Sequence, residues 1–196
     1  MTVRIAPLTG RGLDQGLDAV ARLRITVFRA WPYLYDGSMD YEAEYLAKFA
    51  RAKGAIIVAA YDADTIVGCA TAAPLAEVED EFSAPFRKRG WDIARIFYFG
   101  ESVLLPVYRG RGIGNAFFDH REAQAYSLGG FSHSTFCAVV RPSDHPLRPE
   151  DYVPLDEFWR KRGYEKAGGM VTEFTWKDVD QLDETAKPMQ FWIKPL

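Results

Sequence analysis

The residues best suited to chemistry form one stretch, Tyr108-Arg109-Gly110-Arg111-Gly112-Ile113-Gly114-Asn115-Ala116-Phe117-Phe118. It joins a strand pattern over residues 96–105 to a helical pattern over residues 112–127. Glycines let the backbone turn sharply and approach a ligand closely. The first turn of a helix carries N–H groups without acceptors, and the helix dipole favours negative charge there. Strand, glycine turn and helix start together make an anion site, with phosphate or pyrophosphate as its natural guest. The spacing is not the dinucleotide fingerprint G-x-G-x-x-G, because position 115 is Asn, and no Lys follows the glycines as a P-loop requires. A tight turn under a close-packed helix would use the same glycines, but Pro106 and the arginines favour the phosphate reading.

A carboxylate lies just upstream. Glu101 falls in the predicted strand, where strict alternation puts Phe97, Phe99, Glu101, Val103 and Leu105 on one face. Tyr98, Gly100, Ser102 and Leu104 take the other. Among large apolar neighbours, Glu101 could accept a proton from an attacking nucleophile. A carboxylate satisfied by a Tyr or an Arg would leave the same trace, and a slip of one residue in register would reverse its face. In the predicted helix that follows, His120 and Arg121 sit mid-element, and His120 reads as a structural histidine. The proline-rich segment 141–152 gathers Arg141, Asp144, His145, Arg148, Glu150 and Asp151. No pair there has established ligand spacing, so no metal is expected; a loop over a site entrance and a surface insertion are both consistent with it.

These groups need a scaffold. The chain has 196 residues and 48% apolar content, which suits one domain over 1–196 with a single core. A net charge of -3 argues against nucleic acid as a partner. No apolar run has the length of a membrane span, and the first residues lack the apolar region of a secretory signal. Cys69 and Cys137 match no metal spacing and read as buried small hydrophobes. A cytoplasmic protein is the expectation. Five Trp and ten Tyr are enough to line a pocket as well as a core.

Apolar periodicity supplies the elements. Residues 3–6 and 55–61 read as strands, and 65–73 pairs with 55–61 in a hairpin, with a bulge near Gly68. Leu13, Leu17, Val20, Leu23 and Val27 make a helical stripe over 13–28, with Arg22, Arg24 and Arg29 beside or opposite it. That helix should stop near Trp31-Pro32. Tyr41, Tyr45, Leu46 and Phe49 mark a second helix over 41–50. The charged run 77–90 reads as a solvent-facing loop or short helix. A strand over 131–140, a short helix over 154–162, and strands over 171–177 and 189–194 complete the chain.

The glycine stretch resembles the acetyl-CoA pyrophosphate loop of the GNAT superfamily of N-acetyltransferases, whose pattern is Arg/Gln-x-x-Gly-x-Gly/Ala. Arg109, Gly112 and Gly114 match it position by position. The order of elements resembles that fold over nearly the whole chain. A second superfamily pattern, Asn-x-x-Ala-x-x-Phe-Tyr-x-x-x-Gly-Phe, is followed in type by Phe158, Gly163 and Tyr164. It departs at Tyr152, Leu155 and Trp159, which hold its Asn, Ala and Tyr positions. The resemblance implies an α/β fold with a mixed, mostly antiparallel sheet of six or seven strands and about four helices. It implies acyl transfer from acetyl-CoA, as co-substrate, to a primary amine of a small molecule or a protein; a homodimer is left open.

By the same resemblance, Arg109, Gly110, Arg111, Gly112, Ile113, Gly114 and Asn115 would hold the pyrophosphate, and backbone N–H groups at Val103 and Leu104 would polarise the thioester carbonyl. The superfamily Tyr at position 159 often protonates the leaving thiolate, which an indole cannot do. Trp159 would instead pack beside the pantetheine, leaving Tyr152 or Tyr164 as the acid. Glu101 would be the base, with His145 or Asp144 as substitutes. Trp31, Tyr33, Tyr35 and His145 would border the acceptor site. A non-catalytic acyl-CoA-binding or sensor module, which the Trp at 159 would suit, stays open, as does a purely structural domain.

Overall fold

The structure is a computed structural model that describes residues 3–9 and 11–196, and their side chains except those of 11–15. Leu13 of the predicted stripe lies outside the described side chains. In chain order come β1 (Arg4–Pro7), α1 (Arg11–Phe28), α2 (Met39–Arg51), β2 (Ile56–Asp62), β3 (Thr65–Pro74), α3 (Asp80–Arg87), β4 (Ile96–Leu104), α4 (Ile113–Leu128), β5 (His133–Val139), α5 (Asp156–Lys161), β6 (Glu165–Lys177) and β7 (Glu184–Pro195). The seven strands form one mixed sheet in the order β1-β2-β3-β4-β5-β7-β6. Neighbours are antiparallel except β4 and β5.

Two apolar layers sandwich the sheet. Val20, Leu23, Leu46 and Phe49 of α1 and α2 pack on Ile57, Ala59, Cys69, Ala73 and Val103. On the same side, Phe86 of α3 packs on Ile96, Tyr98 and Phe191. On the opposite side, Ile113 and Phe117 of α4 cover Val58, Ala60, Val67 and Ala70, and Phe118 joins Phe97, Phe99, Phe136, Tyr164 and Trp192. Both cysteines are buried and free, as their isolation in the sequence predicts.

The structure refines the sequence reading, and each refinement has a local cause. Of the loop and the short helix open for the charged run, the structure has the helix, because Phe82 and Phe86 give it an apolar face. Its terminal charges do not all face solvent: Arg89 donates to the Gly168 and Gly169 carbonyls of β6 at 2.8 and 2.6 Å. β6 and β7 extend well beyond the predicted strands because they pair with each other along most of their length. α1 ends at Phe28, three residues before Trp31. The bulge expected near Gly68 is present, with Val67 left over where Ala60 pairs Gly68 and Tyr61 pairs Ile66.

The consequential irregularity lies in β4. Ala70 pairs with Ser102, but Ala72 pairs with Phe99, so β4 spends two residues, Gly100 and Glu101, opposite Thr71 alone. A bulge of this kind bends its strand and reverses the side-chain alternation beyond it. Phe97 and Phe99 therefore face α4 while Val103 faces α1 and α2. The common face expected for Phe97, Phe99, Glu101 and Val103 does not exist. Gly100 is required at the bend, because a Cβ there would lie 2.3 Å from Thr71 Oγ1.

Candidate functional site

β4 and β5 pair only from Ile96–His133 to Tyr98–Thr135. Beyond Tyr98 the bulge turns β4 away and the strands splay. The opening continues into a cleft of about 1670 Å³, above the volume of an ordinary small-ligand pocket and suited to an elongated ligand plus a second substrate. The exposed edge of β4 forms one side of the slot. Leu105 N–H donates to Val67 O at 3.0 Å. By strand alternation the Val103 amide faces β3 in the same way, and the Ser102 and Leu104 amides face the slot. Leu104 lines the cleft; Val103 does not, since its side chain is buried under α1 and α2. Of the two amides expected to face the slot, that of Leu104 does so, whereas that of Val103 faces β3 and Ser102 takes the slot side.

At one end of the slot stands the glycine loop. Gly110 and Gly112 have φ of 75° and 79°, a region that side-chain-bearing residues rarely enter. Gly112 caps α4, whose first closing bond runs from Ala116 N–H to Gly112 O at 3.2 Å. The amides of residues 113–115 thus have no acceptor within the helix. Arg109, Gly110, Gly112, Ile113, Gly114 and Asn115 all line the cleft. Arg111 does not: its guanidinium donates to Val107 O at 3.0 Å and lies over the Tyr108 ring. Beyond the loop, Phe158 and Trp159 of α5 form an apolar wall, with the Trp159 ring 5.1 Å from Phe136 and 5.0 Å from Trp192.

At the other end lies a charged network that the sequence reading missed. Arg24, buried on α1, is ion-paired to Glu101 at 2.6 Å and to Glu42 of α2, itself fully buried. Tyr45 O–H donates to Glu101 Oε2 at 3.5 Å, and its ring lies 4.5 Å from the Arg24 guanidinium. Burial opposes the charge on Arg24, but Glu101, with Tyr45 and Glu42, outweighs it and holds the guanidinium above its ordinary pKa. Burial, then the charge of Glu101, pushes the Tyr45 phenol well above its usual value. Glu101 therefore has a guanidinium and a phenol beside it, not the purely apolar setting expected. Arg24 serves both carboxylates, while Arg121, the other buried cation on the cleft wall, meets Glu101 only at its backbone carbonyl. A spacing signal did exist: Arg24 is four residues from Val20 and from Phe28, and Glu42 is four residues from Leu46, so both fall on the apolar faces of their helices.

The acceptor-side calls divide. Trp31, Tyr33 and Tyr35 line the cleft. Their loop is held by Arg141, which donates to Pro32 O at 2.8 Å and, through both terminal nitrogens, to the buried Asp178 carboxylate at 2.7 and 2.9 Å. Trp176 Nε1–H donates to Tyr33 O at 3.0 Å. Tyr152 lines the cleft edge-on to Trp31 at 5.9 Å. Burial, followed by the nearby charge of Asp156, raises its phenol pKa. His145 is not on the cleft wall. Its Nδ1 accepts from Leu147 N–H at 3.2 Å and its ring packs on Trp31 at 5.1 Å, so it braces the loop from behind. Tyr164 is fully buried, its O–H 2.7 Å from Ser134 Oγ and away from the slot. Among the described residues no group of three or more His, Cys, Asp or Glu is arranged to hold a metal ion.

A parallel pair that splays beside a glycine loop, under a cleft open to both, agrees with one family by sequence as well. The sequence profile of the acetyltransferase (GNAT) family matches residues 21–149, from within α1 to the loop after β5. The chain belongs to the acetyltransferase (GNAT) family. By sequence alone, no curated protein matches it. Several solved acetyltransferases share its fold. An N-acetyltransferase from Staphylococcus aureus Mu50 superposes with a TM-score of 0.63 at 12% identity, covering 100% of this chain and 99% of that one. NAA60 of Arabidopsis thaliana, solved with acetyl-CoA, gives 0.64 at 12%, covering 100% and 99%. An aminoglycoside 6'-N-acetyltransferase solved with coenzyme A gives 0.59 at 18%, covering 98% and 96%. At these identities the likeness is one of GNAT architecture. Among the described residues no helix is long and apolar enough to cross a membrane.

Proposed function

We propose that the protein transfers an acetyl group from acetyl-CoA to a primary amine. The observation that carries this reading is the slot between β4 and β5, with the α4 N-terminal loop at one end and the Arg24–Glu42–Glu101 network at the other. The residues fit the co-substrate. The amides of 113–115 and the left-handed glycines make a cradle for pyrophosphate, Arg109 adds charge, and Phe158 and Trp159 supply an apolar flank. Arg111 contributes at most through the long-range field, since its guanidinium is engaged elsewhere. Acetyl-CoA, when bound, supplies an activated acyl carbon.

The protein's own groups do the rest. Ser102 and Leu104 N–H point into the slot as preorganised donors for a thioester oxygen. An amine must shed its proton before it attacks, and Glu101 is the carboxylate at the slot that can take it. The acceptor enters past Trp31, Tyr33 and Tyr35, whose ring faces suit a cationic amine. Tyr152 is the proton donor for the departing thiolate; with its pKa raised, it remains protonated at neutral pH. Tyr152→Phe should lower kcat by no more than about 100-fold, because a thiolate also leaves without assistance. Wild-type kcat in that variant would assign the proton to solvent.

The cofactor half is tested directly by calorimetry. Gly112→Val forces a β-branched residue into a left-handed conformation costing roughly 1–2 kcal/mol, and should weaken coenzyme A binding about tenfold or more. Equal affinities in wild type and variant would remove the phosphate assignment. Absence of binding by the wild-type protein would favour a structural domain, whereas binding without amine-stimulated thioester cleavage would favour a sensor.

A further inference from the structure

One buried charge has no place in this scheme. Arg121, in the middle of α4, is almost fully buried, and among the described residues its hydrogen-bond partners are all carbonyls, with no carboxylate. Its guanidinium lies 4.4 Å from the Phe99 ring centroid and 4.8 Å from that of Phe118. Nε donates to Phe117 O at 3.1 Å, and Nη1 reaches Thr71 O and Glu101 O, each at 3.4 Å. Burying a cation without a counter-ion is costly, and the desolvation lowers its pKa to about 10.

The two carbonyls that Arg121 reaches are informative. Leu105 bonds to Val67, so a regular ladder would next use the pairs 69–103 and 71–101. At the last of these the bulge intervenes. Glu101 N–H donates to the Thr71 side-chain Oγ1, at 3.3 Å, and the carbonyls of Thr71 and Glu101 turn to Arg121. Side chains thus replace the ladder at the point where β4 leaves β5. Unpaired carbonyls buried there would otherwise favour closing the bulge.

We infer that Arg121, with Thr71, is a positioning element that holds the β4 bulge open and so aims the Ser102 and Leu104 amides and the Glu101 side chain into the slot. The inference rests on the acyl-transfer reading for its consequence, but not for its structural content. Without the clamp, β4 relaxes toward a regular pairing with β3. Restoring that register would shift Gly100 and Glu101 along the ladder and turn Glu101 from the Arg24 side of the sheet to the α4 side.

The experiment uses Arg121→Met, which keeps the stem packing without the donors, and Thr71→Val, which is isosteric and removes only the hydroxyl. In the free protein, amide hydrogen exchange of residues 99–104 should quicken in both variants. With acetyl-CoA labelled with carbon-13 at the thioester carbonyl, the infrared band of the bound wild-type complex should lie below that of the free thioester. In the variants it should move back toward the free position. Affinity should change by less than about threefold and acceptor-independent hydrolysis should fall at least about tenfold, as expected when only transition-state contacts are lost. Arg121→Lys, which keeps the charge and some donors, should recover part of the band shift. Wild-type exchange and an unmoved band in both variants would overturn the inference. If Arg121→Met does not fold, Thr71→Val decides alone. If the wild-type protein does not bind acetyl-CoA, the acyl-transfer reading fails, and the exchange measurement still decides the clamp.

Discussion

Replacing Arg24 by Met should destabilise the protein by about 3–5 kcal/mol, the cost of breaking a buried ion pair from one side. Met keeps the aliphatic stem that packs between α1 and β4, so the loss is not mainly one of volume. What remains are Glu42 and Glu101, both buried and facing each other without the cation that joins them. Urea unfolding measures this directly, with an unchanged slope marking a change in stability alone. Adding Glu42→Gln to the Arg24→Met protein should restore part of the loss, because one buried charge is then removed; the two effects should be strongly non-additive. The folded-state pKa of Arg24 is raised, so its contribution is fully present below the ordinary guanidinium value and is lost only as pH rises through the higher folded one. Arg24 itself should therefore add no pH dependence near neutrality. A loss under about 1 kcal/mol would mean that the network behaves like a solvent-screened surface pair.

Replacing Glu101 by Gln should lower kcat for any accepted primary amine by about 100-fold or more, with acetyl-CoA affinity nearly constant. Gln keeps the shape of the side chain and can still accept from Tyr45 and Arg24, but it cannot take the amine proton. The position makes the test informative, because Glu101 does two things. It anchors Arg24, a structural task that Gln partly retains, and it presents a carboxylate to the slot, which Gln does not. Steady-state kinetics at saturating acetyl-CoA separates the two, since a purely structural Glu101 would lower stability and leave kcat in place. Wild-type kcat/KM in the Gln variant would exclude Glu101 from the proton path. His145 is a poor substitute, with Nδ1 engaged by Leu147 N–H and the ring behind Trp31; Asp144 is exposed and off the cleft wall, so a water held by backbone carbonyls would be the remaining route.

Much of this was legible in the residues. The helical periods of α1, α2 and α4 and the apolar strands of the sheet followed from local pattern, because each element buries one face against a common core. The loop at residues 109–114 was legible for a different reason: left-handed turns and unpaired helix-start amides leave a direct compositional mark in glycine. The aromatic bulk of Trp31, Tyr33 and Tyr35 indicated only that their loop must be buried somewhere; the family resemblance, not that bulk, pointed to the acceptor side. The ends of β6 and β7 were not legible, since their exposed pairs take stability from each other across the hairpin and not from an apolar period.

The sequence by itself determined the architecture, the phosphate-loop candidate and the presence of a carboxylate one strand-length before it. Only the tertiary structure decided which way that carboxylate points. A strict period of two predicts one face for Glu101 with Phe97 and Phe99. The actual parity depends on an inserted residue opposite Thr71, on a neighbouring strand 30 residues away in the chain. The donors that satisfy the bulge and the carboxylate, Arg121, Arg24 and Tyr45, come from three different helices. A helix pattern can place such a group on an apolar face, as it does Arg24, but says nothing of what it meets there. Long-range pairing makes them interior groups, because a buried polar backbone or carboxylate must find a donor wherever the fold brings one within reach.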